Sequence, residues 1–290
     1  MRSPVRAALV ALLFAAVSAA ARAEPQTAIG DWLDGWFDRV DAAQSSEPGW
    51  LAPMLTPTPR LDEKFRYDQG FFRQGNGDTL AQFGGGKGLA LISGPTTELQ
   101  LYLPSYLRRD GPSPAQGWGD WPFLTVKQRL MSAPADAGDY VVTAFLGLQA
   151  PSGAAPFSAN TWTATPAIGG GKGWGDLDVQ GTVGLSLPAD AAAPNGSFLT
   201  AAAALQYFLA PVFWPEVELG VTHWLDGLRG GKTQTVLAPG LLLGRFPLGG
   251  RLRASFGVAY EAALTPKLVR SPALTPQFDH GWLGSARLSF

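Results

Sequence analysis

From residue 61 onward, apolar and polar residues alternate along the chain with a period of two. In DLDVQGTVGLSLP, which begins at Asp176, leucine and valine occupy odd-numbered positions, and Asp178 and Gln180 lie between them. The segments RLRASFGVAYE and TELQLYLPSY repeat this alternation. Because successive side chains of a β-strand point to opposite faces, the pattern predicts strands with one apolar and one polar face.

Twelve segments show this alternation, and most are about ten to fourteen residues long. That length exceeds the usual globular strand of about five or six residues but suits a tilted strand that crosses a bilayer. The sequence therefore predicts an all-β fold, a transmembrane antiparallel up-and-down β-barrel of about 12 strands over residues 61–290. The predicted strands are residues 62–74, 80–92, 97–107, 119–132, 139–150, 160–170, 174–187, 198–209, 213–225, 232–246, 251–263 and 281–290.

The connections between the predicted strands alternate in length. Outer-membrane barrels have short periplasmic turns and longer external loops, and an even strand number leaves both termini on the periplasmic side. The alternation therefore favours such a barrel. The long connections are predicted at 108–118, 151–159, 188–197 and 264–280, and the tight ones at 93–96, 171–173, 210–212 and 247–250.

The positions of charged and aromatic residues set the register of the strands. A shift of the 251–261 strand by one residue would turn Arg251, Arg253 and Glu261 toward lipid, at about 2–4 kcal/mol for each arginine near the midplane. The register with these charges inside is therefore predicted. Tryptophans near predicted strand ends indicate aromatic girdles rather than burial in a soluble core. They are Trp118, Trp121, Trp162, Trp174, Trp214, Trp224 and Trp282.

The last segment, GWLGSARLSF, places Trp282, Leu288 and the terminal Phe290 on the apolar face, with Ser285 and Arg287 on the other. It resembles the last strand of bacterial outer-membrane barrels, which alternates and ends in an aromatic residue. That resemblance implies recognition by the barrel-assembly machinery. The partners expected are thus this machinery, outer-membrane lipid and an unidentified small-molecule solute.

The first 23 residues have the features of a secretory signal peptide. Arg2 and Arg6 precede an apolar run over residues 7–17, and an A-x-A site ends at Ala23. Cleavage after Ala23 is predicted, with export to the outer membrane of a Gram-negative cell. A membrane-anchoring helix is the alternative, but the apolar run is too short to span a bilayer.

Residues 24–60 are predicted to be a helix followed by a connector. An apolar stripe predicts one amphipathic helix over residues 29–44, and four prolines make 45–60 an extended connector. The helix could be a plug, a periplasmic cap or a tether. The stripe consists of Ile29, Leu33, Trp36, Phe37 and Val40.

Composition excludes several classes of function. Loss of residues 1–23 removes three arginines, which leaves 19 basic against 23 acidic residues, a net charge of −4. No basic patch indicates nucleic acid, and the absence of cysteine excludes disulfides and thiolate metal sites. The prediction is a protein that is not an enzyme, with no cofactor, catalytic residue or metal ligand.

Three glycine-lysine clusters, FGGGKGLALI, IGGGKGWGDL and LRGGKTQTVL, raise the question of phosphate binding. A Walker loop needs Ser or Thr where Gly88 and Gly173 stand, and a glycine where the third cluster has Asp226. The clusters are instead predicted to allow strand kinks or tight turns, with Lys87 and Lys172 facing water or lipid headgroups.

Hydrolytic and calcium sites receive little support. His223 falls on the apolar side of its strand and His280 lies in a loop, and neither has a nucleophile motif such as G-x-S-x-G nearby. Both are predicted to be interfacial or hydrogen-bonded histidines. Asp176 and Asp178 alternate with apolar residues on a strand and lack the loop that a calcium site needs.

Five segments resemble the family of outer-membrane transporters named for the MetA pathway of phenol degradation. The resemblance extends from about Arg60 to Phe290. It implies a porin-like outer-membrane barrel and, in some members, a link to the uptake of aromatic compounds, and it brings no catalytic motif. The segments are GGGKGLALISGPTTELQLYLPSY, GWGDWPFLTVKQRL, FSANTWTATPAIGGGKGWGDLDVQGTVGLSLP, FWPEVELGVTHW and GRFPLGGRLRASFGVAY.

The leading hypothesis is a barrel through which small molecules, aromatic or otherwise apolar, cross passively. Because acidic and basic residues are mixed on the polar faces, no strong ion selectivity is expected. The alternatives are a non-conducting barrel, closed by pairing of these charges or by an inserted N-terminal segment, and an outer-membrane hydrolase. The lumen-lining candidates are Glu98, Gln100, Tyr102, Lys127, Arg129, Asp176, Asp178, Gln180, Glu216, Glu218, Arg251, Arg253, Glu261 and Arg287.

Overall fold

The computed structural model describes residues 35–74, 77–112, 114–265 and 278–290. Of these described residues, those from 40 onward form one compact unit, and residues 35–39 belong to another. The single described α-helix, α1, is Trp36–Ser45. The predicted signal peptide and the first residues of the predicted helix lie outside the described residues. No helix in the described part is long and apolar enough to span a membrane.

Fifteen β-strands follow in the described part of the chain, and every pair of neighbours is antiparallel. The strands are β1 (Lys64–Arg73), β2 (Thr79–Phe83), β3 (Gly88–Gly94), β4 (Thr97–Tyr102), β5 (Tyr106–Asp110), β6 (Ala115–Trp118), β7 (Trp121–Ala133), β8 (Tyr140–Ala150), β9 (Thr163–Trp174), β10 (Leu177–Pro188), β11 (Phe198–Tyr207), β12 (Phe213–Trp224), β13 (Thr233–Gly249), β14 (Leu252–Ala263) and β15 (His280–Ser289).

The sheet closes on itself because β15 pairs with β1 along its whole length. Two predicted strands, 80–92 and 97–107, are each divided in two, and the predicted strand 119–132 is preceded by β6, which lies in the predicted connection 108–118. As a result β2 and β3, β4 and β5, and β6 and β7 occupy three positions rather than six. Strand β1 accordingly pairs with β2 through its second half and with β3 through its first. The result is a closed antiparallel barrel of twelve strands, as predicted.

The strands at these three positions are interrupted side by side, at 84–87, 103–105 and 119–120. The amide of Leu103 donates to the Lys87 carbonyl at 2.8 Å, so neighbouring strands stay connected across the break. A Cβ atom on Gly88 would lie 2.3 Å from the Leu101 carbonyl oxygen. The first glycine cluster therefore allows a close backbone approach where the wall bends.

The second glycine cluster lies within β9, where it faces the interior. A Cβ atom on Gly171 would lie 2.6 Å from the Trp50 ring, and one on Gly173 would lie 1.7 Å from Asp139 Oδ2. These glycines make room for side chains that the interior must hold. The third cluster begins in the turn before β13, where Gly231 has a φ of 76°, and continues into that strand.

Connection lengths alternate as predicted in the part of the chain that the structure describes, which leaves out most of the predicted connection at 264–280. The predicted long connection at 108–118 is wrong, because β5 ends at Asp110, β6 begins at Ala115 and the two form a hairpin. The predicted tight turns at 171–173 and 247–250 are also misplaced, because β9 continues to Trp174 and β13 to Gly249. The longer connections share one end of the barrel, called the loop end. Strand β1 begins and β15 ends at the opposite end, called the terminal end.

The two faces of the wall differ in polarity. On β14, Phe256 and Val258 are exposed outward, whereas Ser255 and Glu261 are buried inward, which confirms the predicted register. Five of the seven tryptophans assigned to girdles are exposed. For Trp214 and Trp224 the prediction is wrong, because Trp214 packs against an interior cluster and Trp224 is buried. Both belong to the inward parity of β12, which they share with Glu218.

Candidate functional site

The interior of the barrel contains residues 47–63, which follow α1 as an extended segment, here called the lumen segment. Most of its side chains are buried, including Trp50, Met54 and Leu61. Its prolines prevent regular helix and remove amide donors, so its backbone carbonyls outnumber its amides. A buried backbone without a sheet partner must be satisfied by side chains.

Cationic side chains on the wall bind the carbonyls of the lumen segment. Arg287 donates to the carbonyls of Ala52 and Pro53, the latter at 2.9 Å. Lys127 donates to the Arg60 carbonyl. Arg66 on β1 and Arg245 on β13 donate to the carbonyls of Met54 and Trp50.

Carboxylates on the wall bind the amides of the same segment. Glu218 Oε1 accepts from the amides of Met54 and Leu55, each at 2.8 Å, and Oε2 accepts from Thr56 at 2.6 Å. Glu98 Oε2 accepts from the Asp62 amide at 2.6 Å. Bonds to charged groups are stronger than neutral ones, so these carboxylates are principal anchors of the segment.

Neutral polar residues complete the attachment. Thr182 donates to the Pro57 carbonyl at 2.8 Å, and Gln180 donates to the Leu51 carbonyl at 2.9 Å. The side chain of Gln180 also accepts from Thr58 at 2.7 Å. Bonds from several strands thus hold the segment along its length.

Ion pairs in the interior are deeply buried. Lys127 Nζ lies 2.9 Å from Glu98 Oε2, and both side chains are fully inaccessible to solvent. At the start of the lumen segment, Glu47 pairs with Arg129 at 3.0 Å and Arg60 at 3.3 Å. A buried charge that loses its partner is costly, so these pairs constrain the interior to one arrangement.

The structure places most predicted lumen-lining residues on inward faces, but not all of them. Asp178 is bonded to Gln180, and Glu216 to Gln206. Glu261 is buried on β14. Arg251, by contrast, lies at the β13–β14 turn, where it bonds to Asp41 at 2.6 and 2.7 Å.

The remaining candidates have more local surroundings. Gln100 donates to Glu98 at 2.8 Å, and Tyr102 is half-buried. Arg253 donates to carbonyls of the β13–β14 turn, and Asp176 is exposed in the β9–β10 turn. That any of the fourteen candidates lines a solute path stays a prediction.

Sequence reasoning missed several interior residues. Lys64, Arg66 and Asp68 are buried or partly buried on β1, and Arg66 is paired with Asp68 at 2.8 Å. Their signal was present, because they alternate with Phe65 and Tyr67 in KFRYDQGFFR. Arg60 and Glu47 could not be assigned in this way, since the segment that carries them has no strand period.

The loop end of the interior contains an apolar cluster, here called the mouth cluster, formed by Phe72, Leu80, Leu107 and Phe157. Phe157 comes from the β8–β9 connection, which Asp120 holds in place. Asp120 accepts from Ser158 Oγ at 2.7 Å and from the Ala159 amide at 2.8 Å. The interior at the loop end therefore contains this apolar cluster together with buried charged residues such as Asp78 and Arg109.

The two histidines have separate surroundings among the described residues, and His280, predicted to lie in a loop, is the first residue of β15. His223 Nδ1 lies 2.8 Å from Thr233 Oγ1 on the exposed outer face, and the His280 ring lies beside Tyr260. In the described part of the chain, no group of three or more His, Cys, Asp or Glu side chains is placed to hold a metal ion.

Comparison with known proteins gives structural likenesses only. No family model and no curated protein matches the sequence. An outer membrane channel from Pseudomonas putida F1 is similar in structure, with a TM-score of 0.51 and 12% identity over 82% of this chain and 98% of that chain. The NanC porin has a TM-score of 0.49 and 10% identity over 78% of this chain and 98% of that chain. At such low identity the first likeness shows the fold, and the resemblance to the phenol-degradation family stays a prediction.

Proposed function

We propose that this protein is an outer-membrane channel through which small molecules cross passively. The observation that carries the proposal is a closed barrel whose outer wall exposes large apolar side chains while its inner wall is charged. Large contiguous apolar surfaces are rare on soluble monomers, whereas a lipid-facing wall requires one. Pairing of β15 with β1 closes the sheet, which strands in hydrocarbon need, and among the described strands only the short β6 at the loop end is paired on one side alone.

The proposed location follows from the same wall. The predicted signal peptide would bring the chain across the inner membrane, and the last strand, with Phe290 behind it, would engage the assembly machinery. Cell fractionation tests this proposal. Recovery of the processed chain as a soluble periplasmic protein would contradict it.

Aromatic or other apolar compounds are the proposed solutes. The mouth cluster supports this class, because the buried side chains of Phe72, Leu80, Leu107 and Phe157 make this part of the loop end apolar. A pore for strongly hydrated solutes would instead present polar groups at its opening. No nucleotide motif accompanies the barrel, so the flux proposed follows the concentration gradient.

Reconstitution tests the proposal. Purified protein in liposomes is expected to admit small aromatic solutes, and a variant lacking residues 47–60 is expected to admit them faster. Protein reconstituted with the same yield but subjected to heat unfolding beforehand serves as the control. Absence of solute flux and of conductance in planar bilayers, with and without the lumen segment, would contradict the channel.

A second candidate function is a non-conducting barrel that is closed by its own chain. The bonds from Glu218, Arg287 and Lys127 to the lumen segment favour it, because they occupy the charges that would otherwise meet water. The two candidates differ in one measurement. The closed barrel predicts no flux from the intact protein and flux only after the segment is removed.

A further inference from the structure

The outer wall at the loop end carries a groove across β15, β1, β2 and β5. Strand register aligns its residues in rows. The row nearest the loops runs from His280 through Arg73 and Thr79 to Asp110, and all four side chains are exposed. This row is polar and carries charge.

The next row, two residues farther from the loops, is mainly apolar. It runs from Trp282 through Phe71 and Ala81 to Arg108. Phe71 and Trp282 are 56% and 55% exposed. Below it, Phe83 continues the aromatic surface. The groove is thus amphipathic, with Arg73 toward the loops, Arg108 at one side of the apolar row, and aromatic side chains toward the middle of the wall.

The two arginines of the groove have guanidinium N–H groups that make no described hydrogen bond. Within the described residues, the Arg73 side chain makes no hydrogen bond or ion pair. Arg108 Nε bonds to Asp110 Oδ1 at 3.1 Å, which leaves its two terminal nitrogens without a described partner, and both side chains are more than half exposed. Guanidinium groups match phosphate oxygens through paired donors.

The opposite wall shows that this arrangement is not a feature of the whole rim. There, register aligns Leu199, His223 and Thr233 at the loop end, and this row holds no arginine or lysine. Lys232 is exposed at the same end, in the loop that precedes β13. The combination of two arginines with exposed aromatic rings, Arg73 one row above the rings and Arg108 in the same row, therefore distinguishes the β15–β5 side.

We propose that this groove binds a phosphorylated lipid of the outer leaflet, of the lipid A type, with its phosphate on Arg73 and Arg108. The acyl chains would lie on Phe71, Phe83 and Trp282. The Asp110 carboxylate repels phosphate and directs it toward the Arg73 side. This inference rests on the proposed outer-membrane location. A free phosphate would gain nothing from the exposed aromatic rings that lie below Arg73 and beside Arg108, which is why a lipid is the assigned ligand.

Lipid binding to the purified full-length barrel in detergent tests the proposal. Bisphosphorylated lipid A and its dephosphorylated form are titrated and counted by native mass spectrometry. Arg73→Gln or Arg108→Gln is expected to weaken binding of the phosphorylated lipid about fivefold, and the double variant about 25-fold. Dephosphorylated lipid is expected to bind all forms equally weakly. Lys232→Gln, which removes one charge from the opposite wall, is the matched control and is expected to bind as the unaltered protein does.

Three results would overturn the proposal. The first is that the double variant binds the phosphorylated lipid as tightly as the unaltered protein. The second is that Lys232→Gln loses as much affinity as the arginine variants. The third is that inorganic phosphate at equal concentration displaces the lipid completely, which would indicate a site for free phosphate. Heat-modifiable electrophoretic mobility verifies that each variant is a folded barrel. Solute flux is recorded in parallel. Lost flux with intact lipid binding rejects the channel alone, and lost binding with intact flux rejects the lipid site alone.

Discussion

Replacement of Glu218 by alanine is predicted to free the middle of the lumen segment. The carboxylate accepts from three consecutive amides, those of Met54, Leu55 and Thr56, at 2.6 to 2.8 Å. Alanine leaves all three donors inside the barrel without an acceptor. The backbone pairing of the wall is unchanged, because only the side chain of Glu218 bonds to the lumen segment.

The size of the effect follows from the cost of unpaired buried donors. Each unsatisfied buried amide costs about 1–3 kcal/mol, and the three share one acceptor group, so the total is about 3–6 kcal/mol. That free energy is lost from local attachment of the segment rather than from the barrel. A local opening that is easier by this amount would occur about 10² to 10⁴ times more often.

Hydrogen exchange measured by mass spectrometry checks this prediction directly. A peptide containing residues 54–56 should exchange faster by two to four orders of magnitude in Glu218→Ala, and solute flux should rise. Glu261→Ala is the matched control, because Glu261 is a buried glutamate on the inward face of β14 that makes no described bond to the segment. Unchanged exchange at 54–56 in Glu218→Ala, or an equal increase in Glu261→Ala, would refute the anchoring role of the carboxylate.

Three further predictions concern the pairs and turns of the barrel. Lys127→Met leaves the fully buried Glu98 carboxylate without its ion-pair partner. The free energy of unfolding in lipid vesicles should fall by about 3–5 kcal/mol. A loss below about 1 kcal/mol would contradict the importance of the pair. Gly88→Ala forces a Cβ atom to 2.3 Å from a backbone oxygen and should cost about 1–3 kcal/mol, measured by urea titration of the protein in lipid vesicles. Gly220→Ala, with nothing within 4 Å, should be nearly neutral. Hydrogen bonds from Arg251 hold the pKa of Asp41 below its usual range, so this contact is present at neutral pH and is lost as the pH falls below about 4. A spin label near Asp41 should gain mobility over that range, and Arg251→Gln should remove the pH dependence.

The barrel itself could be predicted because its signal is repeated along the chain. A single residue of slippage would turn a whole strand inside out, so alternation fixes both the strands and their faces. On β14 the predicted inward position of Glu261 and outward position of Phe256 are both found. The same rule, applied to β12, puts Trp224 inside with Glu218. The prediction places Trp224 in an aromatic girdle because it lies near a strand end, although its position in the alternation of β12 is an inward one. The alternation is the better guide here, since Trp224 is buried.

The path of the lumen segment could not be predicted in detail. Residues 45–60 have no period, and prolines show only that the segment is extended. An inserted N-terminal segment was one alternative, but nothing in the sequence pairs Glu218 with the amides of Met54 or Arg287 with the carbonyl of Pro53. Such bonds join a side chain to a backbone group, which every residue has, and so they leave no pattern in the sequence.

The mixture of charges on the inner wall has two consequences, one for binding of the lumen segment and one for the ion selectivity of an open pore. An extended backbone presents both carbonyls and amides, so a wall that binds it needs cations such as Arg287 and Lys127 as well as carboxylates such as Glu218. Charges of both signs would also produce weak ion selectivity in an open pore. Because prolines remove amides from the segment, more cations than carboxylates contact it. Withdrawal of the segment would therefore uncover mainly basic groups. The pore of a barrel without the segment should be more selective for anions than the pore of the intact protein.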